Sequence, residues 1–581
     1  MNNSRRKPVS AAVIFGLLIA ATLCFGMWGF WKLGDEFRVL NLLYKSIQLF
    51  SLESGSVDGQ VPWQLEVARW LGSATLLSGL FELVKTMLGD RYRRWRIRYF
   101  RKHHIVAGLN EQGFSLANDL LRDGERVVAM DLDPEPSLLE RFRENGGIWL
   151  PYDVSPKFNY DAVGVKNAAS CTIVSPEDSL NLSVAYAIEE SDIINSDGSK
   201  LGVYAHVGDV ALRDLLDRNS FFVSSPESGA VIRTFNNSAN MARMILSQFP
   251  LETAGFDDGP VNTARQVHLV LPQLTQQAVA LLIQTAKIGH YLGQRKVYVH
   301  LVSGNATQSL SEFLCQYPSI KNCYASIEAI DVPTGGGFGR AVGEIIKSNQ
   351  DACFTVIPCF DSNPEHLATV LRLQEEIPSD TPYRMLLPYG LEDFLSSAII
   401  RHPQLSKIVC WFSDDGKCCC RAAVFNEELD RAAKVIHENW VVETERQIEN
   451  VSKAGNDQKV AALKSKPAFK PWGELAEDLK SANRSQADHA AIKVRAAGLD
   501  PSLVTGEEWV RWCSNNPGAL EQLARVEHER WAAHLWVAGW SYATVRDDAR
   551  KLHDNLVNYD DLDEPTKEYD VDAVRGIASY F

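Results

Sequence analysis

The sequence predicts a membrane α-helical N-terminus with two transmembrane helices, then tandem α/β domains on parallel sheets, then a mostly α-helical C-terminal domain. Three observations predict this. No residue from Pro8 to Trp31 is charged. Short apolar runs alternate with helical patterns from about residue 103 to 425. From Glu427 the chain becomes charged and helix-forming, with aromatic residues between. A chain of 581 residues is too long for one core, and 45% hydrophobic with 23% charged residues suits folded domains rather than disorder. A net charge of −14 weighs against nucleic acid as a partner.

The first helix is the run AAVIFGLLIAATLCFGMWGFW. At 1.5 Å per residue it spans the roughly 30 Å hydrocarbon layer. A cleaved signal peptide is the competing reading, since Arg5, Arg6 and Lys7 precede it. The run is too long for that, and Trp28, Phe30 and Trp31 suit an interfacial belt better than a cleavage site. A second hydrophobic helix runs from about Trp63 to Leu88. It carries Glu66 and Arg69 at its start, and Glu82 and Lys85 near its end. The segment 91–102 follows with six arginines, Lys102 and no acid. Positive flanks on both sides place both termini in the cytoplasm of a multi-pass protein of the inner (plasma) membrane, so the second helix should cross as well.

Between the helices, NLLYKSIQLF predicts a short helix and SLESGSVDGQVP a turn-rich loop. This order resembles the two-helix potassium-channel architecture. The filter sequence of that family is missing: Ser54, Gly55, Asp58 and Gly59 stand in SGSVDG instead. Two readings stand, a degenerate or differently selective pore and a plain two-helix anchor. Glu82 is either a pore-lining carboxylate or the i, i+3 partner of Lys85.

HIVAGLNEQGFSLANDLLRDGERVVAMDLD, residues 104–133, reads as strand, turn, helix, strand and acid. This is the opening of a Rossmann-like dinucleotide-binding domain. Gly108 permits the strand-to-helix turn, and Gly113 lets the helix pack close to the strand. The helix N-terminus offers amides and a positive dipole end to a phosphate. Asp131 stands at the tip of the second strand, placed for ribose hydroxyls, with Asp133 two residues on. Asn110 replaces the middle glycine, which puts a side chain where backbone should approach a pyrophosphate. The expected ligand is NAD(H) or another adenine nucleotide. The alternative is a scaffold that has lost its ligand.

Further on, WLPYDVS with Asp153, then Asp178 to Asn181 opening a helix, then LGVYAHVGD, make residues 103–250 similar to the RCK (TrkA-N) family. That resemblance implies a ring-forming or dimerising ligand sensor that pulls on membrane helices. It implies no oxidoreductase, since no hydride-transfer partner follows.

QVHLVL, KVYVHLV, FTVIPCF, YRMLLPY and SKIVCWF predict the strands of a second α/β domain, with a helix over 275–291. Its first turn, LPQLTQQ, lacks the glycines, and no acid closes its second strand. It reads as a degenerate copy of the first. Gly335, Gly336, Gly337 and Gly339 predict a flexible loop without the Lys-Ser/Thr ending of a P-loop. Cys418, Cys419 and Cys420 lack the spacing of a metal site and read as reduced, mostly buried thiols.

In the last part, His-Glu-x-Trp recurs at His437–Trp440 and His528–Trp531. HERW, GWSY, an Arg-Asp step and LHDNLVNYDDL then follow in order, and residues 426–581 resemble the RyR (ryanodine receptor repeat) domain. EHERWA is no zinc site, because Ala532 stands where the second histidine of HExxH would be. Two readings stand for His528, Arg530, Trp531, Trp540 and Arg546. They recognise a ligand by stacking and charge, or they form the domain's own core and hydrogen-bond frame.

The expected domains are 1–33, 34–62, 63–90, 91–102, 103–255, 256–425 and 426–581. The functional reading is a nucleotide-sensing, channel-like membrane protein, homo-oligomeric as a tetramer or dimer of dimers, with the lipid bilayer and the nucleotide as its other partners. The alternative is a membrane-tethered sensor or effector without a pore; RyR-like domains carry a family-level association with bacterial nucleotide-signalled antiviral defence. An enzyme is disfavoured: the sequence shows no nucleophile–base pair and no metal constellation.

Overall fold

The computed structural model divides into two units, Met1–Phe100 and Arg101–Phe581. It describes residues 11–34, 38–51, 60–158, 160–191, 198–219, 228–256, 264–333, 337–349, 351–359, 363–378, 381–388, 399–412, 418–425 and 427–580.

In the first unit, α1 (Ala11–Lys32), α2 (Val39–Gln48) and α3 (Trp63–Arg98) pack on one another. Among the described residues, one stretch, Phe15–Lys32 within α1, is long and apolar enough to cross a membrane. Phe30, Leu42, Leu49, Leu65 and Ala68 form the buried centre. The hydroxyls of Thr22, Ser46 and Thr75, all buried, donate to the carbonyls of Leu18, Leu42 and Leu71 one turn back, so these three enter the apolar packing satisfied. Trp70, Leu77 and Phe81 of α3 face outward. α3 runs past the expected end near Leu88 to Arg98, because nothing in the basic stretch breaks a helix. Ser54, Gly55, Asp58 and Gly59 lie outside the described residues, and of Glu82 only the helical backbone is described.

The second unit opens with six parallel strands: β1 (His103–Ala107), β2 (Val127–Met130), β3 (Ile148–Leu150), β4 (Ala168–Ile173), β5 (Leu201–His206) and β6 (Ala230–Phe235). Their order is β3-β2-β1-β4-β5-β6, with Ile105 opposite Val128 and Cys171. The connecting helices are α4 (Glu111–Arg122), α5 (Pro136–Glu144), α6 (Asp178–Glu190) and α7 (Val210–Arg218), and α8 (Asn237–Gln248) follows β6. Every residue of β1 and β2 is buried, which is why these strands read as apolar runs rather than alternating ones.

The next domain repeats this topology. Strands β7 (Gln266–Leu271), β8 (His290–Tyr291), β9 (Arg295–Ser303), β10 (Ser326–Asp331), β11 (Ala352–Val356), β12 (Arg384–Pro388) and β13 (Val409–Phe412) are joined by α9 (Gln276–Ile288), α10 (Ala306–Gln316), α11 (Gly337–Ser348), α12 (Asn363–Glu376) and α13 (Leu405–Ile408). The order β10-β9-β7-β11-β12-β13 is that of the first sheet; β8 adds to it antiparallel to β9. The helix expected over 275–291 stops at Ile288, and His290 and Tyr291 turn back to pair with Lys296 and Arg295. The glycine loop is corrected in part. Gly337 and Gly339 open α11, while Gly335 and Gly336 lie outside the described residues.

The C-terminal part comprises α14 (Arg421–Val424), α15 (Arg431–Lys453), α16 (Asp457–Lys464), α17 (Glu477–Ala496), α18 (Gly506–Asn515), α19 (Pro517–Val537), the short pair β14 (Ser541–Tyr542) and β15 (Leu552–His553), and α20 (Glu564–Arg575). Trp509 is its buried anchor, its indole donating to the Val574 carbonyl over 2.9 Å. Ala533 and Val537 of α19 and Ile492 of α17 join the core of the second α/β domain, which makes that domain the hub of this unit.

Candidate functional site

The β1–α4 turn is built by three residues. Gly108 adopts φ +100, and a Cβ there would lie 2.7 Å from the Val174 carbonyl oxygen. A Cβ on Gly113 would lie 2.0 Å from the Gly108 carbonyl oxygen, so α4 approaches β1 as only glycine allows. Asn110 caps α4: its Oδ1 accepts from Gly113 N over 2.9 Å and its Nδ2 donates to Val174 O over 2.7 Å. The side chain that replaces the middle glycine is thus folded back onto the turn. The amides of Glu111 and Gln112 precede the first helical hydrogen bond and have no partner inside the helix.

Asp131, half-buried, holds this turn to the end of β2. Its Oδ2 accepts from Leu109 N over 2.7 Å and its Oδ1 from Asp133 N over 3.1 Å. A carboxylate has about four acceptor positions, so the carboxylate has capacity beyond these two bonds. Asp133 and Asp153 are exposed beyond the ends of β2 and β3. The neighbouring turns are laced together. Asp178 accepts from Gly208 N and Asp209 N, and fully buried Asn181 donates to the carbonyls of Ser175 and His206. All these groups stand at the carboxyl ends of parallel strands, beside the β1/β4 point where the strand order reverses and open α/β sheets place ligands.

The corresponding turn of the second domain is plugged. Thr275 caps α9, and the Gln276 side chain accepts from Val210 N of the first domain over 2.9 Å. α9 is buried along most of its length against α8 and α19.

Of the five residues singled out in the C-terminal domain, His528, Trp531 and Trp540 form one ring cluster around His553, with His528 stacked on Trp531 at 5.3 Å, while Arg530 is bonded within the frame and Arg546 is exposed. His528 lies between Asp570 Oδ2 at 3.2 Å and the Val557 carbonyl at 2.9 Å. Burial works against charge on both His528 and Asp570; it lifts the Asp570 carboxyl, while the hydrogen bond to Asp570 and its charge outweigh burial at His528 and lift the imidazole. Arg530 donates to Glu527 over 2.7 Å and to Ser485 over 3.2 Å. Glu527 also accepts from Lys493 over 2.5 Å. Burial opposes the Glu527 charge, but Arg530 and Lys493 prevail and hold its carboxyl below the usual range. Both His528 and Arg530 are therefore bonded within the domain's own frame. Trp531 and Trp540, half-buried, meet edge-on at His553, with centroids 5.0 and 5.9 Å away. Arg546 is exposed and bonded to Asp548 over 2.6 Å.

Sequence reasoning missed the place where the two α/β domains meet the helical domain. A half-open cleft of about 150 Å³ lies there, with Arg213, Arg243, Lys287, Glu427, Arg484 and His534 among its lining. Arg243 bonds Asp430 over 2.7 Å and Asp488 over 2.8 Å, and Arg484 bonds the other oxygen of Asp430 over 2.6 Å. Arg484 also pairs with Glu477. Burial pushes the Asp217 carboxyl, 3.2 Å from Arg213, up to about 6. These residues are spread from 213 to 534 over several helices and the segment around Glu427, so no local pattern marks them. Among the described residues, no group of three or more His, Cys, Asp or Glu is placed to hold a metal ion.

The family model of the RyR domain matches residues 515–580, which hold α19, the β14–β15 pair and α20. Distant likenesses among solved structures include GsuK bound to ADP, with 12% identity, 70% of this chain and 94% of that chain covered, and a TM-score of 0.34. The GsuK channel bound to NAD is 11% identical over 70% of this chain and 81% of that one, again with a TM-score of 0.34. A dipicolinate synthase chain from Bacillus halodurans is 9% identical over 56% of this chain and 92% of that one, with a TM-score of 0.21.

Proposed function

We propose that this chain is a membrane-anchored nucleotide sensor that works as a homo-oligomer and carries no enzymatic activity. The observation that carries this reading is the turn after β1. It combines a glycine at φ +100, a helix N-terminus with two amides beyond its own hydrogen bonds, and a carboxylate at the tip of β2 with acceptor capacity left. Those groups suit a nucleotide diphosphate and its ribose. NAD(H) or another adenine nucleotide is the ligand class: α4 would hold the phosphates, and Asp131 the ribose hydroxyls. Glu111, in the first turn of α4, would stand beside bound phosphates and favour ligands of lower charge.

In this proposal α1 and α3 both cross the inner membrane, both termini are cytoplasmic, and nucleotide binding acts on α3. The finer form gives several copies a shared pore. The second reading is a tethered sensor without a pore. It is favoured by Glu66 and Arg69 in the first two turns of α3, paired at 3.2 Å, which suit an interface better than a channel wall. Calorimetry of the full chain with NAD(H) and ADP, paired with conductance in liposomes, tests both. Binding with ligand-dependent conductance supports the pore. Binding without conductance leaves the tethered sensor. Absence of binding by every adenine nucleotide tried sinks the sensor reading at this turn.

A further inference from the structure

The junction cleft holds more positive charge than its carboxylates neutralise at one corner. Arg213 and Arg218 enter from α7, and each has a carboxylate: Asp217 at 3.2 Å and Asp214 at 3.6 Å. Lys287 enters from α9 and donates to the Ser481 hydroxyl over 3.4 Å. Lys551, just before β15, bonds the Ala538 carbonyl at the rim over 3.1 Å. Among the described residues, neither lysine has a carboxylate within 4.0 Å. The fifth group is His534 on α19. It is 8% exposed, lines the cleft, and its Nδ1 has no hydrogen-bond partner.

A buried, unsatisfied ring nitrogen and two lysines on which Asp214 and Asp478 act only from beyond contact distance are expensive to hold at an open cleft. Burial holds the proton affinity of Lys287 down, and Arg213 and Arg218 reduce it further while Asp214 opposes them. Burial likewise keeps His534 neutral, with Lys287, Arg530 and Arg218 adding to the effect. What such a corner lacks is an anion rich in acceptor oxygens. Ala280, Ile283 and Val537 supply an apolar wall beside it for an organic moiety.

We propose that this corner, formed by Arg218, Lys287, Lys551 and His534, is a phosphate-binding site separate from the turn at Gly108. Its ligand is a phosphate group, free or at the end of a nucleotide. Lysine binds such a group as a point charge, and His534 would donate or accept at its edge. The site draws its groups from the first α/β domain, the second, and the segment matched by the RyR model. An anion there would tie the three together.

Calorimetry of the full chain with inorganic phosphate and with ADP tests this. Phosphate affinity should fall at least tenfold, about 1.4 kcal/mol, in Lys287→Met and in Lys551→Met. It should be largely kept in Lys287→Arg and unchanged in Asp131→Ala. In the Asp131→Ala background, an excess of ADP over phosphate affinity that is lost on adding Lys287→Met assigns the group to a nucleotide, and equal affinities assign it to free phosphate. Because Lys287→Met disturbs a packed helix, acylation of Lys551 in the parent is a second readout, and phosphate should slow it. Equal affinity in parent and both Met variants, no binding at millimolar phosphate, or no protection of Lys551 would each overturn the site.

Discussion

The two α/β domains share one strand order and differ in what lies against the helix after the first strand. In the first, α4 presents its N-terminus at the strand ends, with Asp131 alongside. In the second, α9 is driven into the junction, with its first side chain bonded to α7 of the other copy. The same topology thus serves as a site in one place and as a bracket in the other. Strand order does not decide between them; burial of that one helix does.

The largest test of the bracket is Glu527→Ala. It would leave Lys493 and Arg530 buried without their anion, a loss on the order of 3–5 kcal/mol. Since α19 is continuous with the core of the second domain, residues 101–581 should melt in one transition at a lower midpoint. Two separated transitions in calorimetry would show that the helical domain is merely appended.

Acid should strike both copies alike. Burial lowers His104 on β1 from 6.5 to about 4, and Glu125 only partly offsets this. Burial likewise lowers His268 on β7 to about 4, with His300 adding to it. A folded pKa below the unfolded one means stability that is complete above about pH 6.5 and lost as pH falls towards 4. For His104 the loss is roughly 3 kcal/mol at 1.36 kcal/mol per unit. Thermal midpoints measured from pH 7.5 to 4 should fall in that window, and His104→Phe should flatten part of the fall. A midpoint that rises on acidification would contradict the burial of these rings.

At the turns themselves the copies should part. Gly113→Ala forces α4 off β1 and should cost about 1–3 kcal/mol together with nucleotide binding. Thr275→Ala removes only a long 3.4 Å cap in the second copy and should cost less than about 1 kcal/mol. Equal effects on nucleotide affinity would erase the distinction between the copies. The smallest difference is within the first copy. Asp131→Ala should weaken adenine nucleotide binding by about tenfold, or 1.4 kcal/mol, and Asp133→Ala should leave it nearly intact. Matching titration curves for the two variants would remove the ribose role.

What the sequence could show depended on distance along the chain. The turn at Gly108 was legible because its glycines, cap and acid lie within 24 residues of one another, from Gly108 to Asp131. The strands were legible because buried parallel strands are apolar throughout. The frame around His528 was legible only as one of two readings, since its partner Asp570 is 42 positions away, and Arg530 needs Ser485, 45 positions back. HERW announces a helix with polar groups on it; only the fold says whether they face a ligand or one another. The segment 451–515 includes all of α17, whose Arg484, Asp488 and Lys493 tie the junction together across long stretches of chain.

The cysteine row has a consequence for how this protein is made. Cys419 and Val424 sit in the core of the first α/β domain, and Arg421 N donates to Asp119 on α4 over 2.8 Å. The chain leaves that domain after α8 and returns only after the whole second domain has been translated. At about 5–20 residues per second, some 160 intervening residues take on the order of 10–30 s. During that time the face of α4 around Asp119 waits on the ribosome without its cover. Nascent chains stalled before residue 418 should therefore be cut by protease within the first domain, and chains long enough to release residue 425 from the exit tunnel should resist.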